Sequence, residues 1–232
     1  AKVFGIDALV VIGGDGSLRG ARDLSKMGMN VMGIPGTIDN DLGCSEYTVG
    51  YDTALNTVQD ALDKIRDTAY SHERCGVLEV MGRHAGFIAL NVGIASGAEI
   101  IILPEKKLEY EKDIIKPIID ARNRGKKHYI VIIAEGVGGA VEVARKIEEA
   151  TGIEARATIL GHIQRGGSPT VRDRVVASMM GVRAVELLKD NIVNRVIAVK
   201  NGQITDIEIN EALEMKKEID DNMIQLSKIL SI

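Results

Sequence analysis

The sequence predicts an α/β protein whose sheets are parallel and covered on both faces, and three observations predict it. Short runs rich in Val and Ile recur along the chain, long enough for buried strands and too short for helices. Stretches with apolar residues three and four apart alternate with them, the pattern of strand, crossover helix and strand. Every candidate loop follows a strand, after Ile12, Ile34, Met81, Ala134 and Leu160. In such sheets ligands lie beyond the carboxyl ends of the strands.

In chain order, Ala8 to Ile12 is a strand broken by Gly13, Gly14, Asp15, Gly16 and Ser17, and Ser17 reads as the N-cap of the helix that follows. Asn30 to Ile34 is a second strand, stopped by Pro35-Gly36. Leu42 to Gly50 is loop, and Asp52 reads as the cap of a long helix to about Thr68, with Ala54, Leu55, Val58, Ala61, Leu62 and Ile65 as one apolar stripe. Cys75 to Met81 is a strand, Ala85 to Ser96 a helix apolar nearly all round and therefore buried, and Glu99 to Leu103 a strand closed by Pro104. Pro117 interrupts the next apolar pattern, so that helix either kinks or begins near Lys116. His128 to Ala134 is a strong strand, Val141 to Ala150 a helix closed by Gly152, and Ala155 to Leu160 a short strand. The loop Gly161 to Pro169 leads to a helix from Val171 to Leu188. Arg195 to Val199 and Gln203 to Ile209 form a hairpin across Asn201-Gly202, and the tail from Glu211 is helical.

Composition narrows the function. The length of 232 residues suits one large or two modest α/β domains, and 45% hydrophobic residues supply ample core. Net charge is 29 minus 33, or −4, with basic residues scattered, which argues against a general nucleic-acid or membrane binder. Cys44 and Cys75 are too few for a disulfide framework or a zinc cluster, and a reducing, cytoplasmic setting fits. No apolar run approaches the ~18 residues of a membrane span.

The loops carry the chemistry. A turn with three glycines lets backbone N–H groups approach an anion, yet Asp15 among those amides would repel phosphate unless a cation such as Mg²⁺ bridges the two. GGDGSLRGA lacks both the GxGxxG step of a dinucleotide fingerprint and the closing Gly-Lys-Ser/Thr of a Walker loop. In an extended or turning segment residues two apart share a side, so Asp39 and Asp41 can face one site, and paired carboxylates suit a division between proton acceptor and metal ligand. Taken alone, each loop is also an ordinary Asp- and Gly-rich turn. His162 and Arg165, in a loop with Gly166 and Gly167, make a clamp for a phosphate.

GGDGS after a strand, then PGTIDND, MGRHAG at 81–86, AEG at 134–136 and LGHIQRGGSP at 160–169, in this order, resembles the bacterial ATP-dependent 6-phosphofructokinases. The resemblance spans most of the chain. It implies two doubly wound, Rossmann-like, three-layer lobes: 1–50 with 164–214 for ATP, and 51–163 with 215–232 for fructose 6-phosphate. It also implies an earlier strand and glycine loop before Ala1, so that the first lobe is incomplete at its N-terminus and the 232 residues alone are expected to be inactive.

By resemblance, Gly14, Asp15, Gly16 and Ser17 hold the ATP phosphates, with Asp15 on Mg²⁺ and Asp41 near the metal. Asp39 matches the base that takes the proton of the sugar 1-hydroxyl, Thr37 and Ile38 help seat the sugar, and Arg83 stabilises the phosphoryl group in flight, with the Met81 and Gly82 backbone beside the sugar. Glu135 would bond sugar hydroxyls, and His162 and Arg165 the 6-phosphate, which Arg74 and Arg156 reach from a neighbouring subunit of a homotetramer. Arg66, Gly97, Glu99, Arg124 and Lys126 match an effector site for a nucleotide diphosphate or phosphoenolpyruvate.

Three alternatives compete. Pyrophosphate-dependent relatives typically carry Asp in place of Gly16 and Lys in place of Gly36, and both are glycine here. NAD and diacylglycerol kinases share a GGDG loop but lack PGTIDND and GHIQRGG. A non-catalytic fragment that binds sugar phosphate without turnover is the third.

Overall fold

Val and Ile at the period of a pleated strand, and apolar residues at the period of a helix, resolve into strands and helices over residues 2–231, which the computed structural model describes. The strands are β1 (Ala8–Gly13), β2 (Asn30–Pro35), β3 (Cys75–Val80), β4 (Ile100–Ile102), β5 (Tyr129–Ala134), β6 (Ala155–Ile159), β7 (Arg195–Lys200) and β8 (Gln203–Glu208). The helices are α1 (Asp15–Lys26), α2 (Tyr51–His72), α3 (Phe87–Ser96), α4 (Lys116–Asn123), α5 (Ala140–Thr151), α6 (Val171–Lys189), α7 (Ile209–Glu214) and α8 (Asp221–Leu230). The chain divides into two units, Ala1–Thr53 with Ser168–Glu218, and Ala54–Gly167 with Ile219–Ile232.

In the first unit the sheet order is β1-β2-β7-β8. β1, β2 and β7 are parallel, and β8 returns antiparallel through a two-residue turn in which Asn201 (φ 52°) and Gly202 (φ 72°) both take positive φ. Alternation along the strands sorts two cores. Val31, Val196 and Ala198 pack with Leu18 and Ala21 of α1 and Ile209 of α7, while Met32, Ile34 and Ile197 face Met180, Ala184 and Leu187 of α6. Helices thus cover both faces.

In the second unit β4-β5-β3-β6 are all parallel. β5 is buried at every position, as a central strand covered on both faces must be. Val77, Val131 and Ile133 pack against Ile114, Ile118, Val143 and Ile147 on one side. On the other side, β3 and β4 come close to helices, with Gly76 against Ile65 of α2 and Gly93 of α3 against Ile101.

Several boundaries differ from the sequence reading. The N-cap of α1 is Gly14, not Ser17, because the backbone is already helical at Asp15. α2 starts at Tyr51, one residue before Asp52, whose carboxylate instead accepts the Thr170 hydroxyl, and it runs on to His72. α3 starts only at Phe87, since a turn closed by Ala85 N–H to the Gly82 carbonyl occupies the preceding residues. One boundary agrees: α4 begins at Lys116 with Pro117 in its first turn, and what the sequence did not show is the π-helical turn over Glu111–Ile115 that runs into it. A 3₁₀ turn, Gly161–Arg165, lies inside the loop before α6. The tail is two helices, broken where Met215 turns extended (ψ 136°).

Candidate active site

In the first unit, parallel pairing sets Gly13 against Pro35, so the loops after β1 and β2 emerge side by side. Gly36 N–H donates to the Gly13 carbonyl (3.0 Å), and a side chain at Gly36 would press on Ile12 Cγ2 at 3.0 Å. A Cβ at Gly14 would touch Thr37 at 3.4 Å, so the GGDG and PGT segments are immediate neighbours. Gly16 is exposed, and a side chain there would meet no atom of this chain within 4 Å.

Asp15 stands in the first turn of α1 and accepts from Arg19 Nε at 2.8 Å. That bond, with the charge behind it, raises the Arg19 pKa. Both side chains are solvent-exposed, so the pair is easily traded for a ligand. Thr37 Oγ1 accepts the Asp39 N–H (3.2 Å), and the Thr37 carbonyl accepts the Thr48 hydroxyl (2.7 Å). The chain bends at Ile38 and Asp39, and Asn40 is left-handed (φ 52°). Of the extended or turning path expected here, the turning one forms.

Two residues that hold this loop were missed by sequence reasoning. Asp173 of α6, 1% exposed, accepts from Tyr47 Oη (2.5 Å), Gly50 N–H (2.7 Å), Thr53 N–H (2.9 Å) and the Thr53 hydroxyl. Burial pushes its carboxyl up, but the bonds from Thr53, Tyr47 and Gly50 together outweigh that and hold it below its ordinary value. The Thr170-x-x-Asp173 spacing at the start of α6 was a visible capping signal, and Thr170 does accept the Asp173 N–H. Lys217, in the break between α7 and α8, donates to Asn40 Oδ1 (2.9 Å) and to the carbonyls of Ser45 (2.8 Å) and Glu46 (3.0 Å). Burial pushes its pKa down to about 8 against the opposing pull of Cys44, Asp41 and Glu46. Nothing in the sequence singles it out.

In the second unit, loops after β3, β5 and β6 gather at the carboxyl edge of the sheet. Met81 N–H donates to Gln164 Oε1 (3.0 Å), Arg83 N–H to Glu135 Oε1 (2.6 Å), and Gln164 Nε2 to the Gly161 carbonyl (3.0 Å). Gln164, 1% exposed between His162 and Arg165, is a further residue the motif reading passed over. Gly82 sits at φ 139°, and a Cβ there would collide with the Ala85 carbonyl oxygen, so only glycine makes this turn. Arg83 (φ 58°), His162 and Arg165 are exposed. Glu135 already holds the Arg83 backbone with one oxygen.

Arg74 and Arg156 stand at the opposite, amino edge, where both bond Glu154: Arg74 Nε at 2.6 Å, Arg156 Nε at 2.9 Å and Nη2 at 2.5 Å. Those bonds, Arg74's first, hold the Glu154 carboxyl below its usual value. β3 runs from Cys75 to Val80, so the two edges lie about 17 Å apart at ~3.3 Å per residue. Arg66, Gly97, Glu99, Arg124 and Lys126 also belong to the amino edge. Arg66 bonds the Ser96 carbonyl beside Gly97, Glu99 is bonded to both Lys126 and the Ile130 N–H, and Arg124 shares a cavity of about 350 Å³ with Glu99.

Among the described residues no group of three His, Cys, Asp or Glu side chains could by itself hold a metal, and no helix is long and apolar enough to cross a membrane. Two α/β sheets whose glycine- and charge-bearing loops gather at their carboxyl edges define a doubly wound protein with anion-recognising loops. The family model described as phosphofructokinase matches residues 1–188. The chain is 56% identical over 230 residues to an ATP-dependent 6-phosphofructokinase of Clostridium botulinum, covering 99% of this chain and 72% of that one. It is 54% identical over 231 residues to that of Alkaliphilus metalliredigens, covering 100% and 72%. Among solved structures, phosphofructokinase from Saccharomyces cerevisiae superposes with a TM-score of 0.85 at 31% identity, covering 99% of this chain and 35% of that one. The chain therefore belongs to the phosphofructokinase family, a family of kinases.

Proposed function

We propose that the protein transfers the terminal phosphoryl group of ATP to the 1-hydroxyl of fructose 6-phosphate, giving fructose 1,6-bisphosphate and ADP in glycolysis. The observation that carries this is the 56% identity to an ATP-dependent 6-phosphofructokinase over 99% of the chain, which includes all five loops. The first unit is the ATP lobe, with Gly14, Asp15, Gly16 and Ser17 on the phosphates. The second is the sugar-phosphate lobe. Asp39 takes the hydroxyl proton, Thr37 and Ile38 seat the sugar, and Arg83 offsets charge on the phosphoryl group in transit. Its backbone is fixed by Glu135, whose second oxygen would accept from sugar hydroxyls, and Met81 is fixed by Gln164. His162 and Arg165 take the 6-phosphate.

Mg²⁺ suits this donor set. It binds through one or two carboxylates plus substrate phosphates and needs no all-protein cage, and Asp15 and Asp41 are the carboxylates that would hold it. Bound there, it would neutralise phosphate charge. The donor preference rests on Gly16 more than on Gly36. Gly36 is already required by its contact with Ile12, whereas Gly16 has open space around it that a nucleotide can occupy.

Arg74 and Arg156, at the amino edge of the sheet on Glu154, reach the 6-phosphate of a neighbouring subunit in a homotetramer, as the resemblance implies. The amino-edge group around Glu99 and Arg124 is the effector site. Both cysteines are buried free thiols, which suits the cytoplasm. The test is a coupled assay on the full-length protein with fructose 6-phosphate, Mg²⁺ and either ATP or pyrophosphate. Turnover with ATP should dominate, and pyrophosphate turnover equal to or above it would overturn the reading.

A further inference from the structure

Lys217 lies outside every loop named above, yet its ammonium meets the acidic one. It donates to Asn40 Oδ1, the buried amide between Asp39 and Asp41, and to the carbonyls of Ser45 and Glu46. Asn40 is 5% exposed and left-handed (φ 52°), a conformation that asparagine takes more readily than other residues with a Cβ and that its bonds here hold in place. Its oxygen also receives the Thr48 hydroxyl at 3.4 Å, and its Nδ2 donates to the Glu46 carbonyl at 3.4 Å. The Lys217 bond is shorter than either of these.

A second contact fixes the same two segments. A side chain at Gly43 would fall inside the Met215 carbonyl and 2.6 Å from the Lys216 carbonyl carbon, so the loop backbone rests directly on the stretch that carries Lys217. From the other side, Glu46 N–H donates to the Val199 carbonyl (2.9 Å) and Val199 N–H to Ser45 Oγ (2.9 Å), which pins the loop to β7. Residues 42–46 are thus held between a strand and the 215–217 stretch, and the Lys217 cation reaches from there into the Asp39-Asn40-Asp41 turn.

We propose that Lys217 is a positioning residue for the acidic loop: by gripping Asn40 and the Ser45 and Glu46 carbonyls, it fixes the turn that aims Asp39 and Asp41. This rests on the reading of Asp39 as the base. A misplacement of about 1 Å can cost ~10² in rate, so a residue that touches no substrate can still govern turnover.

The test is Lys217→Met in the full-length protein, which keeps the length of the side chain and removes its donors. Its kcat should fall about tenfold or more while the KM for fructose 6-phosphate stays within about twofold, the split expected when only the reacting group is misplaced. Amide hydrogen exchange at Asp39, Asn40 and Asp41 should quicken by at least about tenfold with the β2 and β7 amides unchanged. Lys217→Ala gives a second measurement: n-propylammonium should restore both kcat and slow exchange, and tetramethylammonium, which cannot donate hydrogen bonds, should restore neither. A Lys217→Met protein with parental kcat and unchanged loop exchange overturns the proposal. So does a natively folded Lys217→Ala protein whose lost activity propylammonium leaves unrestored. A parent protein inactive with fructose 6-phosphate and ATP would defeat the proposed function instead, and the exchange comparison would still decide the role of Lys217.

Discussion

Replacing Asp173 by Ala should be among the most destabilising single changes in the first unit. The carboxylate is 1% exposed and accepts the Tyr47 hydroxyl, the Gly50 N–H, the Thr53 N–H and the Thr53 hydroxyl. The Gly50 and Thr53 amides belong to the start of α2, where backbone donors have no intrahelical partner, so Asp173 caps a helix other than its own. Alanine would orphan at least three donors. Each buried donor without a partner costs ~1–3 kcal/mol, and partial entry of water reduces the sum, so the expected loss is about 3–5 kcal/mol. Against a total stability of ~5–15 kcal/mol that is a large fraction. Urea unfolding followed by circular dichroism should show the midpoint falling by ~1–2 M, taking a slope of ~3 kcal/mol per M. Asp173→Asn, which keeps one acceptor but turns an amide toward the donors, should fall between the two. The carboxyl's pKa is below its ordinary value in the folded protein, so its stabilisation is complete above the unfolded pKa of ~3.9 and disappears as pH falls through the lower folded value. The gap between parent and Asp173→Ala should accordingly close in acid. A loss below ~1 kcal/mol at neutral pH would show that the orphaned donors find other acceptors, and the keystone role would be wrong.

Three further outcomes are expected. Asp39→Asn keeps size but loses the proton acceptor, so kcat should fall by ~10² or more with sugar affinity much less changed, and an active variant would place the base elsewhere. Arg156→Ala should raise the KM for fructose 6-phosphate; when it is mixed with Arg165→Ala, hybrid assemblies should regain intact sites, whereas simple averaging of the two parents would defeat the cross-subunit assignment. Gly16→Asp should weaken ATP turnover without lowering the melting temperature, since a Cβ added there meets no atom within 4 Å beyond its neighbours and its own helix backbone, and an unchanged KM for ATP would break the link between Gly16 and the donor.

The sheets were legible because their strands are short Val- and Ile-rich runs bounded by Gly and Pro, and because β5, buried at every position, leaves no helical alternative of its length. The loops were legible because glycines and charges follow those strands directly. Residues that act through backbone were not. Asp173 and Lys217 serve groups more than a hundred residues away in sequence, 123 for Gly50 and 177 for Asn40, and no local spacing records such a partner. Gln164 failed for a different reason: between His162 and Arg165, an uncharged side chain drew no notice, although it alone of the three is buried and aims its oxygen at the Met81 N–H.

The same limit explains why the sequence leaves the path around Asp39 and Asp41 open between extended and turning. Periodicity assumes that the backbone continues, and at Asn40 it reverses hand. That reversal costs up to about 1–3 kcal/mol for a residue with a Cβ, and less for asparagine, which takes it more readily than most. The bonds from Lys217 and Thr48 to the Asn40 oxygen are on that scale, and one to a charged donor contributes ~1.5–3 kcal/mol. The direction of the two carboxylates is therefore a tertiary property of this unit, set by the break after α7 as much as by the PGTIDND segment. Substitutions in that break should then alter turnover without touching any residue of the motif.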